Sequence, residues 1–557
     1  MSELRTFTEE QARHINELAA IGRAMSAESD TNVILEMILS KARDFTHADG
    51  GTLYLVNDDR DKLDFHVLHN ATLNSFMGGT SGNPVTIPSV PLYTEDGKAN
   101  HQNVSAHVAA TGEVINIPDV YEAEGFNFEG TKKFDESLKY RSMSMLVVPL
   151  TDHENDIIGV LQLINAQDTQ TEETIPFSDE LVDITTALAS QAAVMLTQQK
   201  LINDMKALFD SFVKAIATAI DEKSKYTGGH IARVTELTMM IAEKLNAVQE
   251  GPYTDIKFNE KEMEALRLAA WLHDTGKITT PEYVVDKAKK LETVYDRVDL
   301  VKSRWHTLRY ARELEAEREK QKYLSTNGKG DPEKIREIEE KLEADLAALR
   351  EEFEYVDRIN FGGEFMEDEK IARLHDIAEY TYEVDEEEFS FLNDNEIYNL
   401  SIRKGTLTNE EREIMNNHAL MSIKILEQLP WPKHLKEVPA IAGAHHEKLD
   451  GTGYPFGLKA EEISLQSRIM AVADIFEALS AKDRPYKKPM PLSQAIKILG
   501  FMVKDNHIDA DVVDLFISSG LVFDYAEKYL DKSQLDIERE SFLAERAESK
   551  KAKAEAS

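Results

Sequence analysis

Cysteine is absent from all 557 residues. That excludes disulfides and thiolate metal sites. Long apolar runs are missing too. None approaches the roughly 18 residues of a membrane-spanning helix, and no charged-then-apolar leader opens the chain. The expectation is a cytoplasmic protein with no membrane insertion. Positive charge is scarce: 64 Lys and Arg stand against 101 Asp and Glu, a net charge of −37. A general surface of that sign argues against a nucleic-acid polymer as partner. An anionic substrate would then need a local basic patch. The 42% apolar content suits a soluble globular protein, and the length calls for about three or four folding units.

The chain is organised around one stretch, His445-His446-Glu447-Lys448-Leu449-Asp450-Gly451-Thr452-Gly453-Tyr454-Pro455. The apolar run Val438–Ala444 before it predicts a helix that the two histidines close, and the glycines and Pro455 force a loop. Neutral imidazole is the commonest transition-metal ligand. On a helix the pair could serve one metal from two directions or address two metals. Four further segments carry ligand types. His230 heads a helix after Gly228-Gly229. His273-Asp274 ends the apolar pattern Met263, Leu266, Ala269, Ala270, Leu272. His418 lies on a helix with Ile414, Met415, Met421 and Ile425. Asp474 stands in the apolar helix Ile469–Leu479, where a carboxylate is costly unless paired or bound to metal. Imidazole with carboxylate suits Fe, Mn, Zn or Ni.

His273-Asp274 with Gly276-Lys277, together with His446-Glu447-x-x-Asp450-Gly451-x-Gly453-Tyr454-Pro455, resembles the HD-GYP family of metal-dependent phosphodiesterases. The resemblance covers roughly 205–300 and 401–505. It implies an all-α HD-type fold with two divalent transition metals, Fe or Mn before Mg. His230, His273 and Asp474 would hold one metal and His418, His445 and His446 the other, with Asp274 bridging. Two such metals polarise a phosphoryl oxygen and generate hydroxide near neutral pH. Some family members carry a glutamate four residues before the first histidine for a third metal. Here that place is Tyr226, which points to two, with Glu222 a weak substitute. Lys277 could reach a phosphate or leaving oxygen, or pair with a carboxylate. Arg484, Lys487 and Lys488 form a local basic patch for substrate phosphates. Tyr454 lines the base pocket or packs. Glu447 and Asp450 are expected to orient the imidazoles. The family's substrates are 3′,5′-cyclic dinucleotides: cyclic di-GMP, cut to pGpG or GMP, or cyclic GMP-AMP. The alternative is an inactive cyclic-dinucleotide receptor that signals through its helical insertion.

Upstream the period is different. Gly51–Val56, Leu63–Val67 and Val114–Asp119 read as strands, and Ser144–Leu150 pairs with Ile158–Asn165. Gly112-x-Val114-x-x-Ile117-Pro118-Asp119, Arg141-Ser142, Gly159-Val160-Leu161 and Phe177 opening a helix resemble a GAF domain, a sensory α/β fold with an antiparallel sheet. The resemblance implies a small-molecule ligand or a purely dimerising domain. Lys132-Lys133-Phe134-Asp135-Glu136 is similar to the motif of cyclic-nucleotide-binding members without its spacing.

The expected organisation is a GAF-like domain over 1–177, a linker helix over 178–220, an HD-GYP-like domain over 221–519, and a tail over 520–557 that becomes disordered from Ala547. Leu181, Leu188, Met195, Ile202 and Phe209 recur every seven residues and predict a parallel coiled-coil homodimer. Residues 305–400 interrupt the catalytic pattern as an inserted αα-hairpin, with helices Trp305–Tyr323 and Pro332–Tyr355. His306 and His375 within it read as non-ligands.

Overall fold

A computed structural model describes residues 19–223, 228–327, 331–481 and 489–556. The chain forms two compact units, 1–209 and 210–557.

The first unit is built on an antiparallel sheet in the order β3-β2-β1-β7-β6-β5. Its central strands are β1 (Ala48–Val56), β2 (Lys62–Asn70), β6 (Met145–Thr151) and β7 (Ile157–Gln167), with β3 (Ser75–Gly78) and β5 (Ile115–Ile117) at the edges. Short β4 (Val90–Pro91) pairs with β2, and β8 (Thr174–Ile175) with β7. The expected pairing of β6 with β7 runs from Met145 opposite Ile164 to Thr151 opposite Ile157. Alternation at period two sends successive residues to opposite faces. Leu53 joins a core with Leu146, Val148, Leu161 and Leu163 beneath helix α1 (Thr31–Thr46). Its neighbour Tyr54 joins Val104, Val108, Phe128, Met145 and Val147 on the other face, under α2 (Val104–Thr111). Helix α3 (Glu129–Leu138) carries Asp135. That carboxylate is buried and accepts from the Ser142 amide and hydroxyl and from Tyr121 Oη. It is committed inside the domain.

Helix α4 (Asp179–Asp221) is continuous, as the heptads predict. Part of the predicted seam is buried within the first unit. Leu188, Ala189, Ala192, Ala193 and Leu196 pack into the first core with Ile21 and Met25, and Leu181 and Met195 lie against it. The first unit therefore extends past 177, and half of the expected coiled-coil seam is filled by the chain's own domain. The apolar residues left exposed are Val194, Leu201, Ile202, Met205, Leu208 and Phe212. Val194, Leu201 and Leu208, with Gln198, Met205 and Phe212, keep the alternating 3–4 spacing of a heptad seam.

The second unit is helical: α5 (His230–Ala247), α6 (Glu260–Leu272), α11 (Asn409–Leu426), α12 (Val438–Gly443) and α13 (Leu465–Ser480) surround the histidines. Capping boxes at Asn259/Glu262 and Thr408/Glu411 start α6 and α11. Between them come α7 (Val298–Asn327), α8 (Pro332–Asn360), α9 (Asp368–Ala378), the hairpin β9 (Thr381–Val384)–β10 (Glu387–Ser390) and α10 (Asp394–Leu400). This segment is more than the expected αα-hairpin. It has its own core, including Leu291, Val301, Leu308, Val356, Leu374, Phe391 and Leu400, with Trp305 stacked on Phe353. The acidic run before Phe389 folds as the hairpin, with Phe389 stacked on Tyr382. Buried lysines root it: Lys287 Nζ donates to Asn399 Oδ1 and Glu411, and Lys290 Nζ to the Leu400 carbonyl.

The tail also departs from expectation. After α14 (Leu492–Lys504) and α15 (Ala510–Ser518), α16 (Leu521–Tyr529) buries Phe523 and Tyr525, the latter against Phe476 of α13. Helix α17 (Arg539–Ala556) covers the stretch expected to be disordered, and Arg546 and Lys550 pair with Asp514. No helix among the described residues is long and apolar enough to cross a membrane.

Candidate metal centre

Seven side chains from five chain segments converge in the second unit. His230 is the first residue of α5. His273 follows the last residue of α6, and Asp274 opens the 3₁₀ turn Thr275–Thr279. His418 lies within α11, His445 and His446 just past α12, and Asp474 within α13. Close backbone approach makes this convergence achievable. A Cβ on Gly276 would lie 1.9 Å from the His418 carbonyl oxygen, and one on Gly453 would lie 2.3 Å from Lys448 N. Only glycine lets the 3₁₀ turn meet α11 and the loop fold back on itself.

Asp274 is central and buried. Its Oδ2 is 3.6 Å from His230 Nε2 and 3.4 Å from His273 Nε2, while Oδ1 is 3.4 Å from His418 Nε2. One carboxylate thus turns a different oxygen to each half of the cluster. Asp474 Oδ1 is 3.3 Å from His230 Nε2 and 4.0 Å from His273 Nε2. Donor atoms of His418, His445 and His446 lie within 4.8 Å of one another, as do those of His230, His273 and Asp474, and those of His273, Asp274 and His445.

The residues fit a metal on a direct observation. His273, His418 and His445 each hold Nδ1 against the carbonyl three residues back, Ala270, Met415 and Ala442, at 2.6–2.7 Å. A carbonyl only accepts, so Nδ1 carries a proton, and in the neutral ring Nε2 presents a lone pair. All three Nε2 atoms are buried without a hydrogen-bond partner. Buried polar atoms are rarely left so, and bound cations would satisfy them.

The electrostatics of the two halves differ. Burial pushes His418 down, and it pushes His445 far down and His446 to about 3. Those rings are neutral donors. Burial also disfavours a charged His230, but hydrogen bonds to Asp474 and Glu477 outweigh it and raise the ring to about 10. Burial opposes ionisation of Asp474, yet His230 holds it well below the carboxylate range. Lys277 and His273 do the same for Asp274. The carboxylate half carries surplus negative charge that a proton or a metal must meet.

Other predicted residues land differently. Lys277 Nζ is 2.5 Å from Asp274 Oδ2 and so pairs with the central carboxylate. Tyr454 is half-buried, its ring 4.8 Å from that of His446. Glu447 is buried but turns away from the imidazoles: it accepts from Phe456 N and Leu458 N and staples the glycine-rich loop. Asp450 is exposed and accepts from Thr452 N and Oγ1. Their hydrogen bonds go to loop groups, whereas the carbonyls three residues back take the Nδ1 protons of His273, His418 and His445. Glu222 is exposed. Arg484, Lys487, Lys488 and Tyr226 lie outside the described residues. Two residues were missed. Glu477 is buried with Oε2 2.5 Å from His230 Nδ1. Asp221 is buried with Oδ2 3.3 Å from Ile231 N, and burial raises it to about 6. Glu477 was findable, since carboxylates at 474 and 477 share one face of an apolar helix.

The fold and centre define a helical HD-type domain with a GAF-type domain before it in the chain. Residues 30–196 match the GAF domain family, and 227–327 and 394–512 match HD domain families. More particularly, a GAF domain is followed in the chain by two stretches of HD-domain type, 227–327 and 394–512. It is 37% identical over 140 residues to a probable cyclic di-GMP phosphodiesterase of Vibrio cholerae, covering 24% of this chain and 31% of that protein. It is 46% identical over 97 residues to 3′3′-cGAMP-specific phosphodiesterase 3 of the same organism, covering 17% and 20%. It is 45% identical over 96 residues to a cyclic di-GMP phosphodiesterase of Thermotoga maritima, covering 17% and 26%. The matched stretches span under a third of these relatives.

Proposed function

We propose that the chain is a metal-dependent phosphodiesterase that opens a 3′,5′-cyclic dinucleotide, cyclic di-GMP or cyclic GMP-AMP, and that its GAF domain controls the reaction. The observation that carries this is the convergence of three partnerless imidazole Nε2 atoms on a carboxylate whose two oxygens face opposite halves of the cluster. His230, His273 and Asp474 would hold one divalent transition metal, His418, His445 and His446 the other, and Asp274 would lie between. Bound there, the metals would polarise a phosphoryl oxygen and make water acidic enough to attack at neutral pH.

The protein's own part is to hold the donors and exclude protons from them. The three helix carbonyls fix the ring tautomers. Glu477 takes the far nitrogen of His230, leaving Nε2 toward Asp274 and Asp474. Lys277 balances the charge of Asp274 and is placed to meet a phosphate when that pair opens. Tyr454 walls the site beside His446. Arg484, Lys487 and Lys488 are the proposed phosphate contacts on an otherwise acidic chain. The exposed stripe from Val194 to Phe212 supports a homodimer joined along α4.

The relatives' names divide between cyclic di-GMP and 3′3′-cGAMP. Incubating the protein with Mn²⁺ or Fe²⁺ and a panel of cyclic dinucleotides tests the reading. Linear dinucleotide from at least one substrate is expected. Tight binding without hydrolysis would leave a receptor in place of an enzyme.

A further inference from the structure

The linker helix α4 ends in two charged grips on the metal centre. Asp221, its last residue, accepts from Ile231 N at 3.3 Å. Helix α5 begins at His230 behind Gly229, which has no side chain to cap it. The Asp221 carboxylate supplies that missing acceptor at a helix N-terminus, where negative charge is favoured. Two residues on, Lys223 Nζ donates to the carbonyls of Lys277, Ile278 and Thr280 at 2.9, 2.6 and 2.6 Å. An ammonium has three N–H groups, and all three are used.

Those carbonyls end the 3₁₀ turn that starts from Asp274 and carries Lys277. Across the turn, Ser422 Oγ donates to the His273 carbonyl and accepts from Gly276 N. The turn is thus pinned to α11 on one side and to the end of α4 on the other. Three carbonyl oxygens aimed at one point repel each other unless a cation sits between them. Without Lys223 the turn would relax, and Asp274 and Lys277 would move with it.

We propose that Lys223 is a positioning residue for the metal centre, through which the end of the linker helix sets the turn that bears Asp274 and Lys277. Its kinetic consequences rest on the phosphodiesterase reading, whereas its effect on metal binding does not. A rotation or shift of the helix end would reach the centre by this route, without any contact between Lys223 and substrate.

The absence of cysteine allows a single-site test in the full chain. Lys223→Cys removes the ammonium, and alkylating the thiol with 2-bromoethylamine restores one at nearly lysine length. Mn²⁺ affinity is measured by titration, and kcat and KM on the active cyclic dinucleotide. The variant is expected to fold, to lose about 10–100-fold in Mn²⁺ affinity or kcat, as outer partners of metal ligands do, and to keep KM within about twofold. Alkylation should restore both. Unchanged Mn²⁺ affinity and kcat in folded Lys223→Cys would overturn the proposal. So would a loss that alkylation does not recover, which marks general damage. If Lys223→Cys does not fold, Lys223→Gln keeps two N–H donors without the charge and is judged by whether metal affinity or kcat falls with KM held. Wild-type protein that binds Mn²⁺ yet hydrolyses no cyclic dinucleotide would sink the phosphodiesterase reading, and the Mn²⁺ comparison would still decide the role of Lys223.

Discussion

Glu477 Oε2 lies 2.5 Å from His230 Nδ1, while Oε1 accepts from Arg233 Nε at 2.7 Å. The carboxylate is buried between an imidazole and a guanidinium. Glu477→Ala leaves Arg233 facing a hole and should destabilise the fold by about 3 kcal/mol, as breaking one side of a buried ion pair does. Glu477→Gln keeps the shape but not the charge. It should fold and lower metal affinity or kcat by about tenfold. Calorimetry and metal titration check both. Full metal affinity in Glu477→Gln would mean that the contact only packs.

Metal uptake should release a proton. His230 is raised to about 10 in the metal-free protein, so it is charged at neutral pH, and a metal takes Nε2 only after the proton leaves. Affinity should therefore rise with pH, by up to about tenfold per unit, until pH passes the His230 value. Calorimetric titrations at pH 7.5 in buffers of different ionisation enthalpy should show about one proton released for the His230 site. Heats independent of buffer would contradict the charge assigned to that half.

The exposed stripe on α4 is the expected dimer seam. Leu201→Glu with Leu208→Glu should turn a dimer into a monomer by light scattering, because both residues are exposed and neither belongs to the core of the first unit. Inserting four residues after Asn203 should change kcat much more than inserting seven, which restores the heptad phase. Equal kcat for both insertions and the parent, all dimeric, would reduce α4 to a tether.

The insertion is rooted at Leu291 and Leu400, not at Trp305. Cutting out 305–398 strips Leu291, Val298 and Val301 of their partners and should yield aggregating protein. Burial of each such side chain is worth about 1.5–3 kcal/mol. Cutting out 291–400 removes that core whole and should leave metal content intact, since all seven proposed ligands lie elsewhere. Soluble 305–398 deletion protein of native stability would refute this boundary.

The strands, the long helix and the His-Asp helix end were legible because period and capping are local. So was the convergence of His230, His273, His418, His445, His446, Asp274 and Asp474, through a motif held in one order. What the sequence hid depends on three dimensions. Leu188 and Leu201 have the same heptad character, and only packing of the first core shows that one is buried and the other exposed. Asp221 and Glu222 are equal as letters, and the helix rotation buries the first. Glu447 and Asp450 stood beside the histidines in sequence, but the loop turns their carboxylates to its own amides. The acidic run Glu383–Glu388 had no strand signal beyond the Tyr382–Phe389 pair that closes its hairpin.

A two-metal centre spanned by Asp274 is tested by elemental analysis of active protein beside Asp274→Asn. Two transition-metal ions per chain, Fe or Mn, are expected. Asp274→Asn should fold with reduced metal content and lose most turnover, because an amide bridges cations poorly. Fully active wild-type protein with one metal or none, or Asp274→Asn with two metals and undiminished turnover, would contradict a two-metal centre.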